Sequence, residues 1–295
     1  MPASLPLERV VDTAKITAIS RAIESERPDA LFHDPYARLL AGDGIQQALA
    51  SWPGWEFTVA SCAIRTLLID RMIEKAVRES AVDVVVNLGA GFDARPYRLE
   101  LPRSLTWIEV DHDAVLAEKE EKLHAVEPKC MLRRTALDLA DVDSRKTFLD
   151  DIAGTASCVL IVTEGVLVYL ADDDALKLTR DLMQNRCIGW WITDLVSSAA
   201  IDLIEKTLRR SSKPRDVDLR FAPADGIRFF QRHGWNAEAA HSCVEEGSRL
   251  RRPIVAPAFW QRAASREQRQ ALRRFLLVLQ LRRDTTLGAI PNSVL

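Results

Sequence analysis

From residue 81 onward, short apolar runs alternate with stretches of helical spacing. Val82–Leu88 is apolar apart from Asp83 and Asn87, and Leu105–Val110 and Cys130–Ala136 are further runs of strand length. Ser157–Thr163 and Ile188–Leu195 are nearly continuous, the pattern of strands buried on both faces. Between them, Asp113–Val126, Ser144–Ile152 and Asp172–Met183 read as helices. Asp172, Asp173 and Asp174 open the third, where acids suit the positive end of the helix dipole. Strands separated by helices predict a mostly parallel sheet with right-handed crossovers. Beyond it the spacing predicts helices over Ser197–Arg209 and Ala224–His233, a loop over Arg210–Val217, and a helix starting at Ser265. Trp235–Val244 and Phe275–Leu281 read as strands that would close one sheet edge as an antiparallel hairpin.

The first 80 residues read as helical. Asp12-Thr13 is expected to cap a helix running to Glu26, and Pro28 and Asp34-Pro35 force turns. Ala60–Val77 carries Ile64, Leu67, Leu68, Arg71 and Met72 at three-to-four spacing. The expected organisation is a helical cap over residues 1–80 on one compact α/β unit over 81–295, with 197–225 completing a lid.

Composition narrows the partners. The 295 residues are 47% apolar and 28% charged, ordinary for a globular chain. A net charge of −2 gives no electrostatic reason to expect nucleic acid or an anionic membrane. Cys62, Cys130, Cys158, Cys187 and Cys243 are scattered, without metal-ligand spacing or a disulfide framework, which fits a reducing, cytoplasmic compartment. The N-terminus lacks the apolar core of a signal peptide, and no apolar run approaches the ~20 residues of a membrane-spanning helix. A metal site is not expected.

The chemistry concentrates at Asn87-Leu88-Gly89-Ala90-Gly91-Phe92-Asp93-Ala94-Arg95, directly after the first strand. Asp111, at the tip of the second strand, follows Gly91 by 20 residues. Strand, glycine turn, helix, strand and acid is how an open α/β sheet holds a nucleoside, with the acid on the ribose hydroxyls. The glycine pattern alone does not separate a nicotinamide dinucleotide from S-adenosyl-L-methionine. Asp93 and the strand-end acids Asp111, Asp138 and Glu164 suit a cationic sulfonium better than a diphosphate.

Several segments together resemble the leucine carboxyl methyltransferase-like family of S-adenosyl-L-methionine-dependent O-methyltransferases, which includes bacterial enzymes of natural-product pathways. They are Arg21 to Ala37, Arg65-Thr66, Val86 to Arg98, Glu109-Val110-Asp111, Asp138-Leu139, Thr163 to Leu170 and Phe229 to Trp235. Ala94 departs from the family's usual threonine, and the arginine-rich tail after about residue 245 departs further. The resemblance implies a seven-stranded class I methyltransferase sheet, Rossmann-like, with a helical N-terminal cap. It implies S-adenosyl-L-methionine as cofactor and a small-molecule carboxylate or hydroxyl as acceptor. By position, Arg65 and Lys15 would meet the cofactor carboxylate, and Gly89, Ala90 and Gly91 its methionine part. Asp111 would take the ribose, Asp138 and Leu139 the adenine, and Glu164 would lie near the amino group. No catalytic residue is assigned; Glu164 and Tyr169 are the candidates.

Each residue also has a structural reading. Asp111 and Asp138 could cap the segments that follow them, and Glu164 could be a buried acid paired to Arg65 or Lys15. Lys15 could lie on a solvated helix face. Arg95 and Arg98 are expected to pair with Asp93 or nearby acids, and Arg249–Arg252 and Arg273-Arg274 to be solvated. A protein C-terminal carboxyl methyltransferase, a nicotinamide-dependent Rossmann oxidoreductase and a non-catalytic cofactor-binding relative stand as alternatives.

Overall fold

Five consecutive buried residues, Val84–Leu88, form β1 at the middle of the sheet. The computed structural model describes residues 10–52, 54–209, 218–254 and 265–285. The other strands are β2 (Thr106–Asp111), β3 (Met131–Ala136), β4 (Val159–Thr163), β5 (Ile188–Val196), β6 (Trp235–Ser242) and β7 (Leu276–Arg283). They form one seven-stranded sheet in the order β3-β2-β1-β4-β5-β7-β6. β1 to β5 pair in parallel, and β7 runs antiparallel between β5 and β6. This is the class I methyltransferase Rossmann-like sheet that the sequence predicts.

Helices cover both faces. α4 (Trp55–Glu79) lays Ile64, Leu68, Met72 and Ile73 on one face, against Val85, Trp107, Leu160, Val162, Ile192 and Val278. On the other face, α7 (Val142–Ala153) and α8 (Asp172–Gln184) pack Leu149, Ile152, Leu178 and Leu182 on Val84, Val86, Val159 and Ile161. A third cluster joins the N-terminal helices α1 (Val10–Ser25), α2 (Ala37–Ala41) and α3 (Ile45–Ala50) to Phe92, Tyr97 and α6 (Asp113–Leu123). The N-terminal helices thus share a core with α5 (Arg95–Arg98), directly after the glycine turn.

Several boundaries differ from the sequence reading. α1 is already running at Val10, so Asp12 and Thr13 lie inside it and do not cap it. α7 starts at Val142, because the Asp141 carboxylate accepts from the backbone N–H of Asp143 and Ser144. Cys243 and Val244 belong to α11 (Cys243–Arg249), not to β6: the Ser242 hydroxyl caps that helix by accepting from Glu245 N–H. The helix predicted over Ala224–His233 is the single turn and a half of α10 (Arg228–Arg232). α9 (Ser198–Arg209) matches its prediction, and the loop expected at Arg210–Val217 lies outside the described residues. α12 (Arg266–Arg273) starts where Ser265 and Gln268 form a reciprocal capping box.

Arg252 is a larger correction. It is 5% exposed, not part of a solvated face. Its guanidinium donates to both Glu24 oxygens at 2.8 and 2.9 Å and to the Asp29 backbone carbonyl at 2.9 Å. Glu24 is itself 1% exposed, on α1. The turn that delivers Arg252 is specialised: Arg251 has φ 57°, and a Cβ at Gly247 would lie 2.4 Å from the Arg252 carbonyl oxygen. The segment after α11 is therefore strapped to the first helix. Arg252→Ala should lower unfolding stability by about 3–5 kcal/mol, the scale for leaving a buried charge unpaired. Arg249→Ala, which breaks an exposed pair with Glu246, should cost less than about 1 kcal/mol. Urea denaturation of the two variants checks the contrast, and equal losses would contradict it.

Candidate functional site

The glycine turn is latched to the tip of β2. Gly89 and Ala90 N–H donate to the Val110 carbonyl at 2.8 and 3.0 Å. Gly91 N–H donates to Asp111 Oδ2 at 2.7 Å, and His112 N–H to Oδ1 at 2.7 Å. Gly89 and Gly91 take φ of 70° and 46°, a region that disfavours side chains. A Cβ at Gly89 would also lie 2.5 Å from Val166 Cγ2, and one at Gly91 would lie 3.3 Å from Ala14 Cβ. The loop after β4 and helix α1 thus press on the turn from two sides. A larger residue at 89 would therefore collide with the protein itself.

A buried chain of ion pairs runs from the N-terminal helices to the strand tips. Asp34 accepts from Arg21 at 2.8 Å and lies 3.8 Å from Arg98. Arg98 holds Asp70 through two bonds of 2.7 and 2.8 Å. Arg95 donates to Asp70 at 2.7 Å, and its Nη1 sits 2.8 Å from both Asp93 and Glu164. Arg65 donates to Glu164 at 2.9 Å and to Asp194 at 3.0 Å. Five carboxylates are shared among four guanidiniums, so the acids of the chain outnumber its cations by one. Arg95 Nη2 is buried with no acceptor.

The two acids flanking Arg65 behave differently. Burial opposes ionisation of Glu164, but Arg95 and Arg65 overcome it and hold its pKa below the usual value. Burial dominates at Asp194, which has one guanidinium partner and the Gly165 N–H, and its pKa is raised. Asp93 is also held low, since Arg95 and the cations around it outweigh burial. Tyr169, in the turn after β4, has its phenol raised by burial and bonds to the Thr13 side chain on α1.

The structure therefore brings together Arg65, Gly89, Ala90, Gly91, Asp111 and Glu164 at one end of the sheet. Arg95 and Arg98 pair with acids, as the sequence suggests. Glu164 pairs with Arg65 and Arg95, while Lys15 pairs with Glu118 on α6 at 3.1 Å. Asp138 is exposed, and its carboxylate accepts from Ala140 N–H at 2.9 Å. Leu139 is half-buried against the second core, and its carbonyl accepts from Arg145. Two acids escaped the sequence reading. Asp194 lies 4% exposed in the apolar strand β5, and Asp70 lies 5% exposed on the apolar side of α4. An acid inside an apolar pattern was the signal, because such a group needs a cation. Among the described residues no group of three or more His, Cys, Asp or Glu side chains could hold a metal ion. No helix among them is long and apolar enough to cross a membrane.

Residues 14–183 match the family described as leucine carboxyl methyltransferase. A candidate S-adenosyl-L-methionine-dependent methyltransferase from Parafrankia sp. (strain EAN1pec) is 32% identical over 257 residues, covering 83% of this chain and 82% of that protein. Another from Streptomyces avermitilis is 30% identical over 258 residues, covering 83% and 89%. Among solved structures, a DUF574 family protein from Streptomyces avermitilis covers 92% of this chain and 97% of its own at a TM-score of 0.59 and 13% identity. A candidate methyltransferase from Thermobifida fusca covers 92% and 94% at a TM-score of 0.52 and 14% identity. These two share the fold. The sequence relatives set aside the nicotinamide alternative.

The ion-pair chain makes a pH prediction. The pKa values of Asp93 and Glu164 are depressed in the folded state, so their contribution is present above the unfolded carboxylate range, about pH 4. It is lost as pH falls through the lower folded values. Asp194 is shifted the other way and does not add to that loss. The thermal midpoint should fall steeply below about pH 4, and Asp93→Asn should flatten that acid limb. An unchanged limb in the variant would contradict the assignment.

Proposed function

Because the chain belongs to the leucine carboxyl methyltransferase family of S-adenosyl-L-methionine-dependent methyltransferases, we propose that it methylates oxygen on a small-molecule carboxylate or acidic hydroxyl. The observation that carries the reading is the charge balance at the strand tips. The buried network holds one carboxylate too many, and Arg95 Nη2 lacks an acceptor. A ligand with an ammonium group, a sulfonium and a carboxylate answers both needs with a net positive charge. The residues present therefore fit the cofactor.

In this reading Glu164 faces the cofactor's amino group, because its two guanidinium partners keep it ionised. Arg65 and Arg95 offer cations to the carboxylate. Asp111 accepts from the ribose hydroxyls while its two backbone bonds hold it beside the glycine turn. Asp138, with one oxygen on Ala140 N–H, keeps the other for the adenine amine, beside Leu139. Lys15 stands in the proposal only through α1, since Glu118 engages it. Of the cap expected over residues 1–80, α1 serves as the roof, because Ala14 lies against the glycine turn and Thr13 bonds to Tyr169, while α4 lies on the sheet face.

When bound, S-adenosyl-L-methionine supplies an electrophilic methyl group: the acceptor oxygen forms a bond to carbon as the sulfur–carbon bond breaks, and the electron pair stays on a now neutral sulfur. The protein's contribution is orientation and exclusion of water. No group described at the site suits a general base. Glu164 is held too acidic, the Tyr169 phenol stays protonated, and both Asp194 oxygens are engaged by Arg65 and Gly165. The acceptor therefore arrives ionised, which favours a carboxylate or an acidic hydroxyl.

Turnover of methyl-labelled S-adenosyl-L-methionine with carboxylates and phenols tests the reading. A product that releases labelled methanol in base is a carboxyl ester, and a base-stable methyl ether marks a hydroxyl. Label on nitrogen or carbon, or no transfer at all, would refute O-methylation. Asp111→Ala should weaken S-adenosylhomocysteine binding by about 1–3 kcal/mol in calorimetry, the loss of a hydrogen bond to a charged group. Bound S-adenosylhomocysteine should also slow hydrogen exchange across residues 13–35. Unchanged exchange there would move the roof elsewhere.

A further inference from the structure

The α4-facing side of β7 is apolar at Leu276 and Val278 and then breaks at Gln280. Gln280 is 7% exposed, and its amide makes no hydrogen bond with the described residues. Its amide atoms are not sealed in the core but reach the solvent of an adjoining cleft. Gln280 lies at the floor of a shallow cleft of about 220 Å³ between α4, β6, β7 and α11. Leu68 and Met72 give the cleft an apolar wall.

Its rim is cationic. Arg71 and Lys75 project from successive turns of α4, Arg249 from α11, and His241 from β6. Arg249 is neutralised by Glu246 at 2.6 Å, while Arg71 and Lys75 have no ion-pair partner among the described residues. Two positive charges are therefore uncompensated beside an apolar wall and an unpaired amide that is open to the cleft. The cleft is separate from the strand tips. Arg71 and Lys75 follow Arg65 by six and ten residues, about 9 and 15 Å along the helix. Gln280 pairs with Ile192, two residues down β5 from Asp194.

We propose that this cleft binds a small organic anion, a carboxylate on a compact apolar body, with the Gln280 amide as its fixed hydrogen-bonding group. Arg71 and Lys75 supply the charge, and Leu68 and Met72 receive the apolar part. Charge complementarity selects the anion, and the small volume, below the roughly 300–1,000 Å³ of typical ligand pockets, limits its size.

Hexanoate is the probe, titrated into the full-length ¹⁵N-labelled protein with the Gln280 side-chain amide resonance as readout. The expected result is a saturable shift of that resonance. Gln280→Leu and Lys75→Glu should each weaken binding at least tenfold, read for the leucine variant from neighbouring backbone amides. Gln280→Leu should keep the parent's fold, read from its backbone amide spectrum, since the side chain it replaces makes no hydrogen bond with the described residues. Asp111→Ala should bind hexanoate as the parent does. The proposal is overturned if hexanoate gives no saturable shift, or if inorganic phosphate binds as tightly, which would mark bare surface charge. Unchanged binding by Gln280→Leu, or loss of binding in Asp111→Ala, would overturn it too.

Discussion

The structure depends on a buried chain of shared charges. Each guanidinium from Arg21 to Arg65 touches more than one element, and each carboxylate lies close to at least one of them under cover. Removing a partner from such a chain strands a charge away from water, at a cost near that of several core methylenes. The N-terminal loop at Asp34, helix α4, the turn at Asp93, the loop at Glu164 and the tip of β5 are consequently fixed relative to one another. The third hydrophobic cluster already ties the N-terminal helices to the turn after β1. The ion-pair chain adds to it, since its members come from elements distant in sequence and meet at the strand tips.

How much of this was legible in the sequence follows the physics of each signal. All seven strands were readable: β1, β2, β4 and β5 are covered on both faces and appear as apolar runs, β7 has much the same character, and the edge strands β3 and β6 show by their length and position between turns. Helix starts were less so. α7 begins at an Asp141 cap that competes with Asp138, and the Ser242 cap ends β6 two residues before its apolar pattern does. The glycine turn and Asp111 were legible as a linear motif, since a strand, a turn and an acid at the next strand tip lie close in sequence.

The rest of the site was not local. Asp70, Asp194 and Arg252 gain their meaning from partners at separations of 25 to 228 residues. Runs of arginine usually mark solvated surface, so Arg252 was grouped with Arg249, although the left-handed Arg251 turns it inward. Gln280 is the same kind of case: a single polar residue in a strand pattern looks like an ordinary alternation until its face is known to be the covered one.

The asymmetry around Arg65 links the fold to the chemistry. One cation serves two acids, yet Glu164 is pushed towards its ionised form and Asp194 away from it. The difference lies in Arg95, which reaches Glu164 but makes no bond to Asp194. A methyl transfer from a sulfonium consumes a positive charge, so fixed anions beside it stabilise the reactant more than the product. In the proposed function, a network with a single surplus carboxylate would hold a cationic cofactor without binding it so strongly that this difference becomes a large barrier. Adding a further base at the tips would increase that penalty, whereas an acceptor that is already anionic carries its own charge into the reaction and loses it as the bond forms. The shortage of bases and the small charge excess are thus two aspects of one electrostatic constraint.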